Sequence, residues 1–146
     1  MKLLEELLQE NKELADKRTK AFGELKKMLC YKIIPALAEC MKKADIERCY
    51  FRLENKPYEG FDKHSEECEM DFYYISIDDD GDIKEATYNE YTGKWATCNT
   101  PFIKGEEIGR IKNNCVIEFT QEILKKIENI NKRMKKTNAE VYELLK

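Results

Sequence analysis

The chain has 146 residues, with 26 basic against 29 acidic side chains, one histidine, six cysteines and three prolines. At 17.3 kDa this is the size of one ordinary domain, burying about 68–70% of the surface its unfolded form exposes. A charged fraction of 38% favours long solvated helices over a large compact core, and no apolar run is long enough to cross a bilayer.

Residues 1–45 read as helical. Leu4, Leu7, Asn11, Leu14, Arg18, Ala21, Leu25 and Met28 alternate spacings of three and four, the seam of a coiled coil, with Asn11 and Arg18 as register-fixing polar positions. A second row at Leu8, Ala15, Phe22 and Leu29 widens the apolar face. Pro35 lacks a helical N–H, so a kink or break is expected near Leu29 to Ile34. Beyond it Ile33, Ile34, Leu37, Cys40, Met41 and Ala44 form a stripe expected in the core.

Residues 46–99 change to a period of two. Cys49, Phe51 and Leu53 alternate with Arg48, Tyr50, Arg52 and Glu54 as a first strand. Residues 55–69 read as a loop, and Met70 to Asp78 as a central strand rich in aromatic and β-branched residues. Asp80-Gly81 turns the chain into a third strand near Ile83 to Tyr91, and Thr92-Gly93 into a fourth at Lys94 to Cys98. Short turns between consecutive strands predict an antiparallel meander of about four strands. Residues 100–114 are an irregular connection. From Cys115 the helical period returns, with Ile123, Ile127, Ile130, Met134, Thr137, Val141 and Leu144 spaced as three heptads to the end. The expectation is a single α+β domain over residues 1–146.

Glu5, Glu6 and Glu10 stand where a signal peptide needs apolar residues, so a cytoplasmic setting is expected, with six irregularly spaced cysteines reduced. The terminal segments are each +2, while residues 46–114 carry nine basic and sixteen acidic side chains, −7. The acidic strip Glu66, Glu67, Glu69, Asp71, Asp78, Asp79, Asp80 and Asp82, with no Lys or Arg among its members, is a candidate surface for a basic protein partner.

Catalytic signatures are missing. His64 lies in a polar loop with no nucleophile elbow nearby. Gly105 and Gly109 lack the Lys-Ser/Thr of a phosphate loop. Zinc would need His64 and Cys68 joined by Cys49, Cys98 or Cys115, without the paired short gaps of zinc fingers. In Asp78-Asp79-Asp80-Gly81-Asp82 the glycine falls at position 4 rather than 6 of a calcium loop, and position 12 is Asn89. No metal and no cofactor are expected. Net charge of −3 argues against double-stranded nucleic acid, although Lys125, Lys126, Lys132, Arg133, Lys135 and Lys136 crowd the last helix.

Tyr73, Tyr74, Tyr88, Tyr91 and Trp95 are expected to cluster on neighbouring strands. With Arg48, Arg52, Lys94 and Arg110 nearby, the set Arg48, Arg52, Tyr88, Tyr91, Lys94, Trp95 and Arg110 is the candidate wall for an anionic, nucleotide-like ligand. The heptad rows are the most specific feature, making Leu7, Leu14, Leu25, Ile123, Ile127, Ile130, Met134, Val141 and Leu144 a candidate oligomer interface. By elimination the expected function is a non-catalytic homo-oligomeric binding protein that blocks or sequesters a target. Inhibitors and adaptors, including accessory proteins of phages and mobile elements, suit that description. A small-molecule binder holding a nucleotide-like ligand between subunits is the alternative. A small hydrolase using carboxylates, or Cys68 with His64, is a third reading.

Overall fold

A computed structural model of the chain describes residues 1–61, 72–102 and 105–146. The order is α1 (Lys2–Met28), a π-turn (Leu29–Ile33), α2 (Ile34–Lys43), β1 (Arg48–Leu53), β2 (Tyr73–Asp78), β3 (Ile83–Asn89), β4 (Lys94–Pro101), a 3-10 turn (Gly105–Arg110) and α3 (Asn113–Leu145). This is the α+β arrangement expected: a long first helix disrupted before Pro35, four antiparallel strands and a long last helix.

The disruption at Pro35 takes the form of a widened turn rather than a break. Pro35 offers no N–H and its ring crowds the carbonyl four residues back, at Tyr31. The backbone answers by inserting a π-turn, in which the Ile34 N–H donates to the Leu29 carbonyl, with helical dihedrals at Leu29, Ile33 and Ile34. Leu29 is thereby carried into the core while Ile34, Leu37, Ala38 and Met41 bury the face that follows.

α2 ends in a Schellman motif. The Ile46 N–H donates to Met41 O at 2.9 Å and the Asp45 N–H to Lys42 O at 3.3 Å. The left-handed position, usually glycine, is Asp45 at φ 57°, and Ile46 packs back against the cluster holding Met41.

The sheet is a plain meander, β1-β2-β3-β4, antiparallel throughout. Both tight turns carry their own ligands for the backbone. Asp78 Oδ1 accepts from the Asp80 and Asp82 N–H groups at 3.0 and 2.9 Å. Gly81, at φ +83°, supplies the left-handed step and sits against Ala38 and Ile34 of α2. Asn89 Oδ1 likewise accepts from Tyr91 and Thr92, with Gly93 at φ +68° closing the turn.

Period-two alternation divides the sheet. Cys49, Phe51, Leu53, Ile75 and Ile77 point to the face covered by α2, the π-turn and α3, where they join Leu37, Met41, Val116, Phe119, Ile123 and Ile130. Phe119 is held edge-on between Phe51, centroids 5.5 Å apart, and Phe102 at 6.0 Å. Glu118, on the same helix, binds the chain leaving β1: its oxygens accept from the Glu54 N–H at 2.6 Å and the Asn55 N–H at 2.9 Å. β1 is thus tied to α3 by packing and by a charged hydrogen-bond pair.

Candidate binding surfaces

The face of the sheet away from the helices carries Arg48, Tyr50 and Arg52 from β1, Tyr74 and Ser76 from β2, Ala86 and Tyr88 from β3, and Trp95 and Thr97 from β4. The side chains of the two outer strands meet over the two inner ones. Tyr50 stacks on Trp95 with centroids 5.0 Å apart and planes at 18°. Trp95 in turn lies 4.8 Å from Tyr88 and 5.3 Å from Tyr74. Arg48 Nη1 crosses to Thr97 Oγ1 at 2.7 Å, whose hydroxyl donates to Ser76 Oγ at 3.3 Å. Arg52 lies over the Phe72 ring at 4.5 Å. Tyr74 is only 1% exposed beneath this roof.

Four of the seven residues expected to form a ligand wall, Arg48, Arg52, Tyr88 and Trp95, therefore do share one face. The other three leave it. Tyr91 sits in the β3–β4 turn, 78% exposed. Lys94 alternates with Trp95 and so points to the opposite side. Arg110, itself exposed, closes the 3-10 turn with its guanidinium 5.0 Å from the centre of the buried Tyr58 ring, away from that face. Tyr73, grouped with Tyr74 from sequence, faces Phe61 across 5.7 Å on the helix side. Adjacent residues of a strand cannot share a face, and that rule replaces Tyr73 by Tyr50, which has the same parity as Arg48 and Arg52.

Of the acidic strip, Glu66, Glu67, Glu69 and Asp71 lie outside the described residues, as do His64 and Cys68. Asp78, Asp79, Asp80 and Asp82 crowd the β2–β3 turn. Carboxylate oxygens of the first three lie within 4.8 Å of one another, with Asp78 engaged by the turn and Asp80 facing Lys42 Nζ at 3.7 Å. Asp79 and Asp82 have the fewest internal duties. Charge here serves turn geometry first, and the surplus faces water.

Among the described residues one carboxylate lies inside. Glu85 is 3% exposed and accepts from the Tyr58 hydroxyl at 2.9 Å. Burial, the hydrogen bond to Glu85 and the Glu85 charge together push the Tyr58 phenol up to about 12, against a smaller opposing pull from Arg110. No sequence signal marked this group, because a single Glu in a strand reads as solvated. Among the cysteines, burial raises Cys30, Cys49 and Cys98, and burial with the nearby Glu118 charge raises Cys115 to about 12. These thiols are disfavoured as thiolates, which is what a nucleophile or a metal ligand must be.

A cleft of about 300 Å³ opens between Arg18, Asn55, Lys56, Lys112, Asn113 and Asn114 at the start of α3. Its two lysines are both paired with Glu59, whose carboxyl is held below its usual range by the Lys112 hydrogen bond and charge, and then by Lys56.

The heptad rows divide at the edge of the core. Ile123 and Ile130 are buried within the chain, and Leu25, Ile127 and Met134 pack against the same cluster. These five of the nine expected interface residues are therefore spent, wholly or in part, on the chain's own core. The same rows then run on uncovered. Leu7 and Leu14 are 53% and 57% exposed, and Val141 and Leu144 49% and 87%. α1 buries no residue anywhere along its length. No helix of the described residues is long and apolar enough to cross a membrane.

Comparison with known proteins adds no relative: no family model, no curated protein and no solved structure matches the chain.

Proposed function

We propose that this chain is a non-catalytic, homo-oligomeric binding protein of the inhibitor or adaptor type, which blocks or sequesters a protein target. The observation that carries this reading is the pair of helical arms whose leucine rows leave the core and continue uncovered. Apolar rows at heptad spacing are assembly surfaces by their chemistry. The anionic β2–β3 turn is a second surface, with the charge that suits a basic partner. Light scattering on the purified chain at tens of micromolar should give a mass above one copy, and a strictly monomeric chain refutes the reading. The turn is tested by D79N/D82N, which removes two charges and leaves the Asp78 oxygen that closes the turn. The partner retained by the wild-type chain should bind more weakly and with a flatter salt dependence. Unchanged affinity removes the anionic turn as the contact.

A second reading is supported by the roofed aromatic face. Trp95, Tyr50 and Tyr88 beside Arg48 and Arg52 combine flat π surfaces with two cations, the chemistry that holds a nucleotide-like anion. Adding nucleoside mono-, di- and triphosphates should then shift Trp95 emission with the nucleotide recovered intact. An unshifted spectrum at millimolar nucleotide removes this reading.

A further inference from the structure

We infer that the α1 arms of two copies pair with each other, antiparallel, about a twofold axis that passes between Lys12 and Glu13, and so close a dimer. This rests on the oligomeric reading above and names its surface.

Contacts along the core fix how the helices run. β1 leads from the β2–β3 turn, where Arg48 pairs with Asp78, towards Asn55. Arg18 of α1 shares a cleft with Asn55, Lys112, Asn113 and Asn114, and further along Ile34 and Ala38 lie beside Gly81 of the β2–β3 turn. α3 likewise passes Asn55 at Glu118 and Phe51 at Lys126. The helices therefore run in the same sense, and the two arms leave opposite ends of the core. A contact of α1 on a second copy's α3 is head-to-tail and builds rows or rings. An arm that pairs with its own counterpart is isologous and closes at two copies.

Charge sets the direction. The tip of α1, residues 5–16, carries Glu5, Glu6, Glu10, Glu13 and Asp16 against Lys12; its inner part, residues 17–27, carries Lys17, Arg18, Lys20, Lys26 and Lys27 against Glu24. Parallel pairing lays acidic on acidic and basic on basic. Antiparallel pairing lays each acidic tip on the other copy's basic inner part.

The heptads then select a register. Residues 1–21 are exposed throughout, and Leu25 is the first seam residue to pack on the chain's own core. A second copy can therefore use Leu4, Leu7, Asn11, Leu14, Arg18 and Ala21, the a and d positions of three heptads. Antiparallel packing sets a against d, and one register employs all six: Leu4 meets the second copy's Ala21, Leu7 its Arg18, and Asn11 its Leu14. On one flank Leu8 then meets the second copy's Ala15, which covers the second apolar row as well. On the other flank Glu10 meets the second copy's Lys17, twice by symmetry. Sliding by one heptad to set Leu4 on Leu14 would bring Glu10 against Glu10 and leave Arg18 and Ala21 unused. The Arg18 guanidinium already lies 4.9 Å from the Phe22 ring centre, so its stem is what faces Leu7. Arg18 also borders the cleft with Lys56 and Lys112, and the register brings the second copy's Glu5 and Glu6 to the level of that cationic rim. Overlap of residues 4–21 gives a seam about 27 Å long. That is smaller than the interfaces of about 1,000 Å² or more that hold tightly, so the dimer belongs to the micromolar range. The α3 arm, at the far end of the core, takes no part in it.

Sedimentation velocity on the full-length chain from about 1 to about 200 µM tests the pairing. The wild-type chain should saturate at two copies. Neither Glu10 nor Lys17 has an ion pair among the described residues. E10K and K17E each set like charges together twice and should weaken the dimer about tenfold. E10K/K17E should recover the wild-type dissociation constant within about threefold, and an equal mixture of E10K and K17E should form a heterodimer tighter than either homodimer. L14K, at a position 57% exposed, should abolish the dimer, with circular dichroism at wild-type helicity showing each variant folded. An assembly that L14K leaves intact, or a charge swap that neither recovers affinity nor favours the heterodimer, overturns the antiparallel α1 pair while leaving an oligomer. A mass that keeps growing beyond two copies with concentration overturns it in favour of head-to-tail contact. A monomeric wild-type chain over the whole range overturns the oligomeric reading itself.

Discussion

Tyr58→Phe isolates the buried Tyr58–Glu85 pair. At neutral pH the variant loses one hydrogen bond to a charged acceptor in a site where both partners are under a tenth exposed, a loss of about 1.5–3 kcal/mol. The pH dependence is the sharper signature. The folded phenol titrates near 12 instead of the ordinary 10, so the folded chain holds this proton more tightly than the unfolded chain. That stability is fully present below pH 10 and is lost as the pH climbs through 12. Between pH 8 and pH 11 the wild-type chain should lose about 1.4 kcal/mol that the variant, having no phenol there, cannot lose. Urea unfolding followed by circular dichroism at both pH values measures it, with the other tyrosines, lysines and thiols common to the two proteins. The gap between wild type and Y58F should narrow from about 2 kcal/mol at pH 8 to well under 1 kcal/mol at pH 11. A gap that stays constant over that range refutes the tightly held proton, and a gap under 0.5 kcal/mol at pH 8 refutes the hydrogen bond.

Two further outcomes follow from local geometry. Asp45→Gly relieves a non-glycine residue held at φ 57° in the Schellman turn, and should raise stability by about 0.5–1 kcal/mol, seen as a melting temperature about 2–4 °C higher; a lower melting temperature would mean the Asp45 side chain does more than tolerate the turn. Cys49 and Cys115, buried with thiols pushed upward, should resist a maleimide at pH 7.5 in the folded chain and react at once in 6 M guanidinium, and peptide mass mapping that finds them modified in the folded state would contradict their place in the core.

Most of the architecture was legible because its signals are local. The three-four rows gave α1 and α3, and period-two alternation with Asp80-Gly81 and Thr92-Gly93 gave the meander. The form of the disruption before Pro35 was not legible, since a missing N–H states that a hydrogen bond is lost and not whether the helix bends, breaks or widens. The candidate ligand wall was half legible. Arg48, Arg52, Tyr88 and Trp95 lie together because strand parity put them on one face, while Lys94 and Tyr73 were misgrouped by proximity in sequence where parity already separated them. Arg110 could not be placed, because the irregular connection carries no period to read. The Tyr58–Glu85 pair joins residues 27 apart through a loop and a strand, and no periodicity links the two.

The heptad rows show where a sequence pattern stops being decisive. A row of apolar residues at three-four spacing states that one face of a helix is covered, and says nothing about what covers it. In this chain each row has two answers: Ile123 and Ile130 are buried in the chain's own core while Leu144, at the same heptad position, is 87% exposed, and Ile127 and Met134 pack on that core while Val141, seven residues on, is half exposed. The spacing is unchanged across the boundary near Met134. What changes is the reach of the four-stranded sheet, whose longest strand has eight residues and spans only about 27 Å, against about 50 Å for the 33 residues of α3. The helix outruns the sheet beneath it by about half its length and carries its heptads past the reach of the chain's own core. That length mismatch is the physical reason to seek the second partner of these helices in another copy.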